Sequence, residues 1–329
     1  MADNETPFAG LDPDRVLDAL EAMGLDCDGR VLALNSYENR VFRVGIHDAE
    51  PVVAKFYRPG RWSDDAILEE HAFAIELAER DVPVVPPINV DGETLHHHDG
   101  QRVALFPLRG GHAPELADRD SLTLLGRVLG RLHAVGERRA FRHRLTLNIE
   151  GFGHRSLLTL LDCEHLPHNL RDNLQRIGES LLGAVEARWS ESGHPAIIRL
   201  HGDCHPGNIL RRDERLHFVD LDDCLNGPAM QDLWMLLSGS RDDQSRQLDW
   251  LLEGYRQFHH FNAGELVLVE PLRALRLLHF NAWLARRWHD PAFPAAFPWF
   301  GENRHWESLI GQLQEQLGEL HEPPLELPW

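Results

Sequence analysis

The sequence predicts an α+β protein of two lobes, β-rich over residues 1–107 and mainly helical over 108–329. Three observations carry this. From Arg30 to Pro107 short apolar runs alternate with polar turns. After residue 120 the apolar residues recur at helical spacing. Between the two regimes, Phe106-Pro107-Leu108-Arg109-Gly110-Gly111 breaks the β pattern and reads as a hinge.

In order, residues 11–24 predict a helix, with Pro13 near its start, Val16, Leu17, Leu20 and Met23 on one side, and Gly24 as its stop. Arg30 to Ile46 is a hairpin whose polar tip is Asn35-Ser36-Tyr37-Glu38-Asn39. Pro51 to Tyr57 is a third strand. Asp64 to Arg80 is a helix capped by Ser63, with Glu70 as the one carboxylate on its apolar stripe. Such a carboxylate needs a buried partner, unless it is a solvated residue at the stripe's edge. Val82 to Pro107 reads as two more strands with turns at Asp91-Gly92 and Asp99-Gly100, and His96-His97-His98 as an exposed hairpin end.

Helices are expected at 121–136, 166–189, 230–237, 243–260, 265–289 and 304–320. Gly126 and Gly130 permit close approach of a neighbour. The proline- and aromatic-rich stretch 291–300 is not expected to be regular helix.

The most informative stretch, residues 201–223, interrupts the helical region. It reads as a strand, a loop and a two-strand hairpin with a turn at Arg212 to Arg215. Asp203, Asn208 and Asp220 stand where such a hairpin would present them together. Phosphoryl transfer asks a protein for a carboxylate to take the hydroxyl proton and for oxygen ligands to magnesium. Asp203 followed five residues later by Asn208 is the base-then-ligand order of a kinase loop, and Asp220 would be the stronger metal ligand. The alternative is a hairpin in which Asp, Asn and Gly only form turns.

Composition narrows the field. With 43% hydrophobic residues the 329-residue chain has the balance of a soluble globular protein. The polar, acidic start is not a secretory signal, and no apolar run approaches a membrane span. Four scattered cysteines fit a reducing cytoplasm. A net charge of -19 argues against nucleic acid. It permits basic or cationic partners, or serves solubility alone. Lys55 is the sole lysine among 33 strong cations. It persists where a compact ammonium reaching phosphate is not replaceable by a planar guanidinium. It is also the obvious partner for Glu70.

Lys55, Glu70, the hinge, His201-Gly-Asp203-x-x-x-x-Asn208 and Asp220, in that order, resemble the aminoglycoside phosphotransferase and choline kinase branch of the protein-kinase-like fold. More closely, the chain resembles the bacterial stress response kinase A family. The resemblance rests on residues 34–41, 53–59, 200–210, 218–223, 226–229, 231–237 and 290–294, almost end to end. It implies a bilobal fold and a cytoplasmic serine/threonine protein kinase using ATP and Mg2+. Asp203 would be the catalytic base, with Asn208 and Asp220 on magnesium. Lys55 would hold the ATP phosphates and pair with Glu70, and Ser36 would touch ATP from the phosphate-covering turn. Asp232 would brace the catalytic loop.

The chain departs from eukaryotic kinases in lacking a G-x-G-x-x-G loop and in having Asp220-Leu221-Asp222 for Asp-Phe-Gly. Asp222 is an extra ligand or a hydrogen-bonded residue. The expected acceptor is a protein, and the expected state a monomer without nucleic-acid or membrane partners. A small-molecule kinase of choline, homoserine or aminoglycoside type is the alternative, with Trp283, Trp288 and Trp299 either meeting a cation or packing the core. A zinc site at His201, Cys204 and His205 is the weakest reading, for want of a second ligand pair.

Overall fold

The computed structural model describes residues 7–327 apart from Glu214. The expectations for the acidic N-terminus and for Glu214 lie outside the described residues. The elements in chain order are α1 (Pro13–Ala22), β1 (Cys27–Leu34), β2 (Arg40–Ile46), β3 (Val52–Phe56), α2 (Asp64–Ala78), β4 (His96–His98), β5 (Gln101–Pro107), α3 (Arg119–Gly136), α4 (Arg155–Leu161), α5 (Arg171–Glu191), β6 (Ile198–Leu200), β7 (Ile209–Arg212), β8 (Arg215–Phe218), β9 (Leu225–Gly227), α6 (Met230–Trp234), α7 (Arg241–Tyr255), α8 (Val269–Arg287), α9 (Ala292–Ala296) and α10 (Asn303–Glu319). They form two compact units, the first of Met1–Pro114, Phe141–Arg144 and Pro206–Cys224, the second of the remainder.

In the first unit five antiparallel strands run in the order β1-β2-β3-β5-β4. Strand alternation assigns the two faces of β3. Val52, Ala54 and Phe56 join Val16, Ala19 and Leu20 of α1 in one core. Lys55 and Tyr57 therefore lie on the opposite face, where Tyr57 packs with Ile67 of α2. Lys55 stands opposite Val41 of β2 and Ala104 of β5, so it is central in the sheet. Ser63 caps α2 as its sequence predicts, its side chain accepting from the Ala66 N–H at 3.2 Å.

The β7–β8 hairpin is fastened to this unit by backbone. Phe218 N–H donates to Pro83 O at 2.7 Å, and Arg211 N–H donates to His112 O at 2.8 Å. Segment 141–144 is pinned to α2 by Glu69, whose carboxylate accepts the N–H groups of Arg142 and His143, both at 2.7 Å.

The second unit is helical, with one small antiparallel ladder between β6 and β9. α3 and α7 pack with their backbones nearly touching. A Cβ on Gly126 would lie 1.9 Å from the Leu251 carbonyl oxygen, and one on Gly254 would lie 2.0 Å from that of Thr123. The close approach inferred from Gly126 and Gly130 is thus made by α7, which contributes Gly254 to it.

Two expectations need correction. Segment 291–300 contains the short helix α9 and a 3-10 turn at Pro298–Gly301. Pro291 precedes α9 and Pro294 lies in its first turn, where an N–H has no helical partner to lose. The sequence reading also assigned no helix to α4, whose seven residues are too few for a clear period.

Gly126→Ala should lower stability by about 2–3 kcal/mol, because overpacking outweighs the helix-propensity gain of about 1 kcal/mol. Gly183→Ala, on α5 with nothing within 4 Å of the added Cβ, should instead raise stability by up to about 1 kcal/mol. Urea unfolding of the two variants measures both signs.

Candidate active site

In the first unit the Lys55 ammonium meets three carboxylates: Asp222 at 3.1 Å, Asp220 at 3.2 Å and Glu70 at 3.6 Å. Lys55 is only 6% exposed. Burial alone would strip its proton, but Asp222, Glu70 and Asp220 outweigh it and hold the pKa well above the usual lysine value. Glu70 is buried, so the edge-of-stripe alternative is excluded. The expected Lys55–Glu70 pair forms, yet Lys55 lies nearer the two aspartates. Burial accordingly pushes Glu70 up despite the pair.

Asp222 is the best-held of the three carboxylates. It is 3% exposed and takes Lys55, the Arg61 guanidinium and the Asn39 amide, the last at 3.1 Å. Burial would raise its pKa, but Arg61, Lys55 and Arg144 overcome burial and hold it below the usual range. Asp222 thus makes the hydrogen bonds that one of its two sequence readings gives it. Asn39 also accepts the Arg58 N–H at 3.0 Å, and Ser36 Oγ donates to Asn39 O at 3.1 Å. The polar tip with Ser36 is thereby tied to Asp222. Arg61 also pairs with Asp223 and approaches Glu38.

Arg144 fixes the backbone of this turn. It donates to the carbonyls of Asp222 and Cys224, stacks over the Trp62 ring at 4.0 Å and reaches Glu70 at 3.9 Å.

Asp220 sits in the left-handed region at φ 59°, unusual for a residue with a side chain though tolerated by Asp. Its carboxylate is 56% exposed, so apart from Lys55 it faces solvent. Val219 N–H donates to Asn208 O at 3.0 Å, which makes Asn208 and the Val219–Asp220 step neighbours across the hairpin. Ser36, Lys55, Glu70, Asn208 and Asp220 all fall in this unit, and Asp203 belongs to the second.

There Asp203 is held by Arg276 of α8, whose Nη1 donates to Oδ1 at 2.7 Å, with His205 Nε2 3.5 Å from Oδ2. Burial would raise the Asp203 pKa, but His205 and Arg276 outweigh it and keep the carboxylate ionised. The preceding residues are braced by the fully buried Asp232 of α6, which accepts the N–H groups of His201 and Gly202, both at 2.9 Å.

Behind Asp232 runs a line of hydrogen bonds. His133 lies 3.1 Å from it, Tyr255 Oη 2.8 Å from His133, His259 2.9 Å from Tyr255, and the exposed Glu137 3.2 Å from His259. Burial pushes the Cys204 thiol well up, which opposes the thiolate a zinc site needs. Among the described residues no group of three or more His, Cys, Asp or Glu is arranged to hold a metal.

The description of the phosphotransferase enzyme family (APH) matches residues 30–266. Stress response kinase A of Escherichia coli is 43% identical over 327 residues, 99% of each chain. The chain belongs to the stress response kinase A family of phosphotransferases. Another relative of this family, the serine/threonine protein kinase RdoA of Salmonella typhimurium, is 44% identical over 99% of each chain. Membership of the family makes the chain a kinase.

Solved structures agree on the fold. An amicoumacin kinase in complex with AMP-PNP and Ca2+ superposes with a TM-score of 0.72 at 16% identity, covering 96% of both chains. A microcompartment-associated aminopropanol kinase gives 0.68 at 19%, covering 95% of this chain and 99% of its own. The bilobal protein-kinase-like α+β fold expected from sequence is the one observed.

Sequence reasoning missed Arg61, Arg144 and Arg276. In a chain whose cations are otherwise all arginine, nothing local separates these three from the rest. Asn39, also unassigned, lay inside a stretch that carries the family resemblance.

Asp232→Ala strands two buried N–H groups and His133, and should cost about 3–5 kcal/mol, with Asp232→Asn, which keeps one acceptor oxygen, costing less. Chemical unfolding of the pair checks the order.

Proposed function

We propose that the chain is an ATP- and Mg2+-dependent serine/threonine protein kinase, acting as a cytoplasmic monomer and not on nucleic acid. The 3.2 Å approach of the Lys55 ammonium to the exposed Asp220 carboxylate carries the phosphoryl-transfer reading. The protein acceptor is supported by 44% identity, end to end, to a relative named as a serine/threonine protein kinase. No helix among the described residues is long and apolar enough to cross a membrane.

The residues fit magnesium. Among the described residues Lys55, Arg58, Arg61 and Arg144 join Glu38, Glu70, Asp220, Asp222 and Asp223 in one ionic network. Asp220 and Asn208 offer hard oxygen donors, and the Asp220 carboxylate is open to solvent. These two residues would hold the ion, which when bound supplies positive charge to the phosphate oxygens. Asp222, already taken by Arg61 and Lys55, positions Lys55 instead.

Lys55 reaches the ATP phosphates as a point charge, and Glu70 with Asp222 keeps it protonated and aimed. Ser36 lies in the turn that covers the phosphates. Asp203 receives the proton of the acceptor hydroxyl as its oxygen bonds to the γ-phosphorus and ADP leaves. Residues 1–107 thus serve the nucleotide phosphates, and 108–329 supply the catalytic loop. A small-molecule acceptor would use the same core.

Asp203→Asn should lower kcat by about 10²–10⁴-fold while ATP affinity changes little, and an equal loss of ATP binding would refute its role as base. Lys55→Arg should lower kcat by roughly 10²-fold or more, because a buried guanidinium cannot take the place of the compact ammonium. Transfer of labelled γ-phosphate to generic proteins and to amino alcohols, with and without EDTA, measures the reaction, its acceptor and its metal requirement.

A further inference from the structure

The carboxylate read above as the base does not stand alone. Asp203 Oδ1 accepts from Arg276 at 2.7 Å, and Oδ2 lies 3.5 Å from His205 Nε2. One oxygen is therefore held by a guanidinium and the other faces an imidazole nitrogen. The Arg276 side chain is 40% exposed and that of Asp203 is 24% exposed, so the two reach solvent together.

Arg273, one turn earlier on α8, is engaged elsewhere, with Glu270 at 2.9 Å and Gln244 at 2.6 Å. Arg276 is thus the α8 guanidinium offered to whatever approaches Asp203. Any hydroxyl that gives its proton to Asp203 brings its neighbouring groups within a few ångströms of that guanidinium. At such separations, with the effective dielectric of a protein surface, like charges repel and opposite charges attract by about a factor of ten or more in binding. The chain's overall charge of -19 acts over longer distances and is screened within about 8 Å at physiological salt. The local guanidinium decides at contact.

We propose that Arg276 is a specificity-determining residue, whose guanidinium beside Asp203 selects Ser/Thr acceptors flanked by acidic side chains and rejects acceptors with a cation next to the hydroxyl. This rests on Asp203 being the base and on a protein acceptor. It deepens that reading by naming the class of peptide and by setting amino alcohols and aminoglycosides at a disadvantage.

The test uses the full chain with Mg·ATP and two peptides that differ only in having Glu or Lys on both sides of a single serine. The wild type should favour the Glu-flanked peptide by about tenfold or more in kcat/KM. Arg276→Gln should bring the ratio to within about twofold of unity, and Arg276→Lys should largely restore it, which a merely structural arginine would not do. An unchanged ratio in Arg276→Gln, or a wild-type preference for the Lys-flanked peptide, overturns the proposal while leaving the kinase reading intact. Loss of transfer to both peptides in both Arg276 variants also overturns it, since Arg276 then serves the reaction itself and not acceptor choice. Wild-type rates in Asp203→Asn, or transfer to amino alcohols with none to either peptide, sink the underlying reading and this inference together.

Discussion

A lysine ammonium sealed into a protein interior is tolerable only among carboxylates, and much of the first unit is organised by that requirement. Lys55 lies on the face of β3 that turns away from the α1 core, so its charge must be met from α2 and from the turn after β8. Glu70 comes from the first; Asp220 and Asp222 come from the second. Three carboxylates around one ammonium would repel each other, and Arg61 and Arg144 relieve this by holding Asp222 and the backbone that carries it. Removing Lys55 would leave the Glu70 and Asp222 carboxylates buried without their shared ammonium, which is the costly kind of deletion. The arrangement leaves Asp220 with its carboxylate largely open to solvent, on a backbone conformation that an aspartate tolerates better than most residues.

The second unit meets a different constraint. The residues before Asp203 turn too sharply to satisfy their own backbone, and Asp232 supplies the missing acceptors for His201 and Gly202. Asp232 in turn is matched by His133, Tyr255, His259 and Glu137, a line that ends at the surface. Two of these residues, Tyr255 and His133, are on the helices that Gly126, Gly130 and Gly254 allow to pack so closely. Helix packing and the geometry of the segment before Asp203 are therefore linked through shared residues.

Asp203 and Lys55 illustrate two uses of a strong ion pair. At Lys55 the surrounding charges keep a buried base protonated. At Asp203, His205 and Arg276 keep a half-buried acid ionised, and Arg276 adds a positive charge at the same spot. The first effect concerns the charge state of a functional group, whereas the second also bears on what can approach it.

The sequence by itself determined the elements and the motif. Strand alternation and helical spacing gave the β-rich and helical regions, Ser63 gave the start of α2, and the spacing of Asp203, Asn208 and Asp220 pointed to phosphoryl transfer. These are local signals, carried by residues close to one another along the chain. The single lysine and the inward Glu70 even specified a long-range pair, because each was anomalous in its own surroundings. The tertiary structure decided that Asp222 and Asp220 lie closer to Lys55 than Glu70 does, that Arg61 and Arg144 hold Asp222 and its turn, and that Arg276 meets Asp203. It also decided that Asn39 ties the polar tip to Asp222. These are matters of which solvated-looking charges become neighbours across as many as 183 positions of chain, and ion pairing depends on distance and burial that no local pattern encodes.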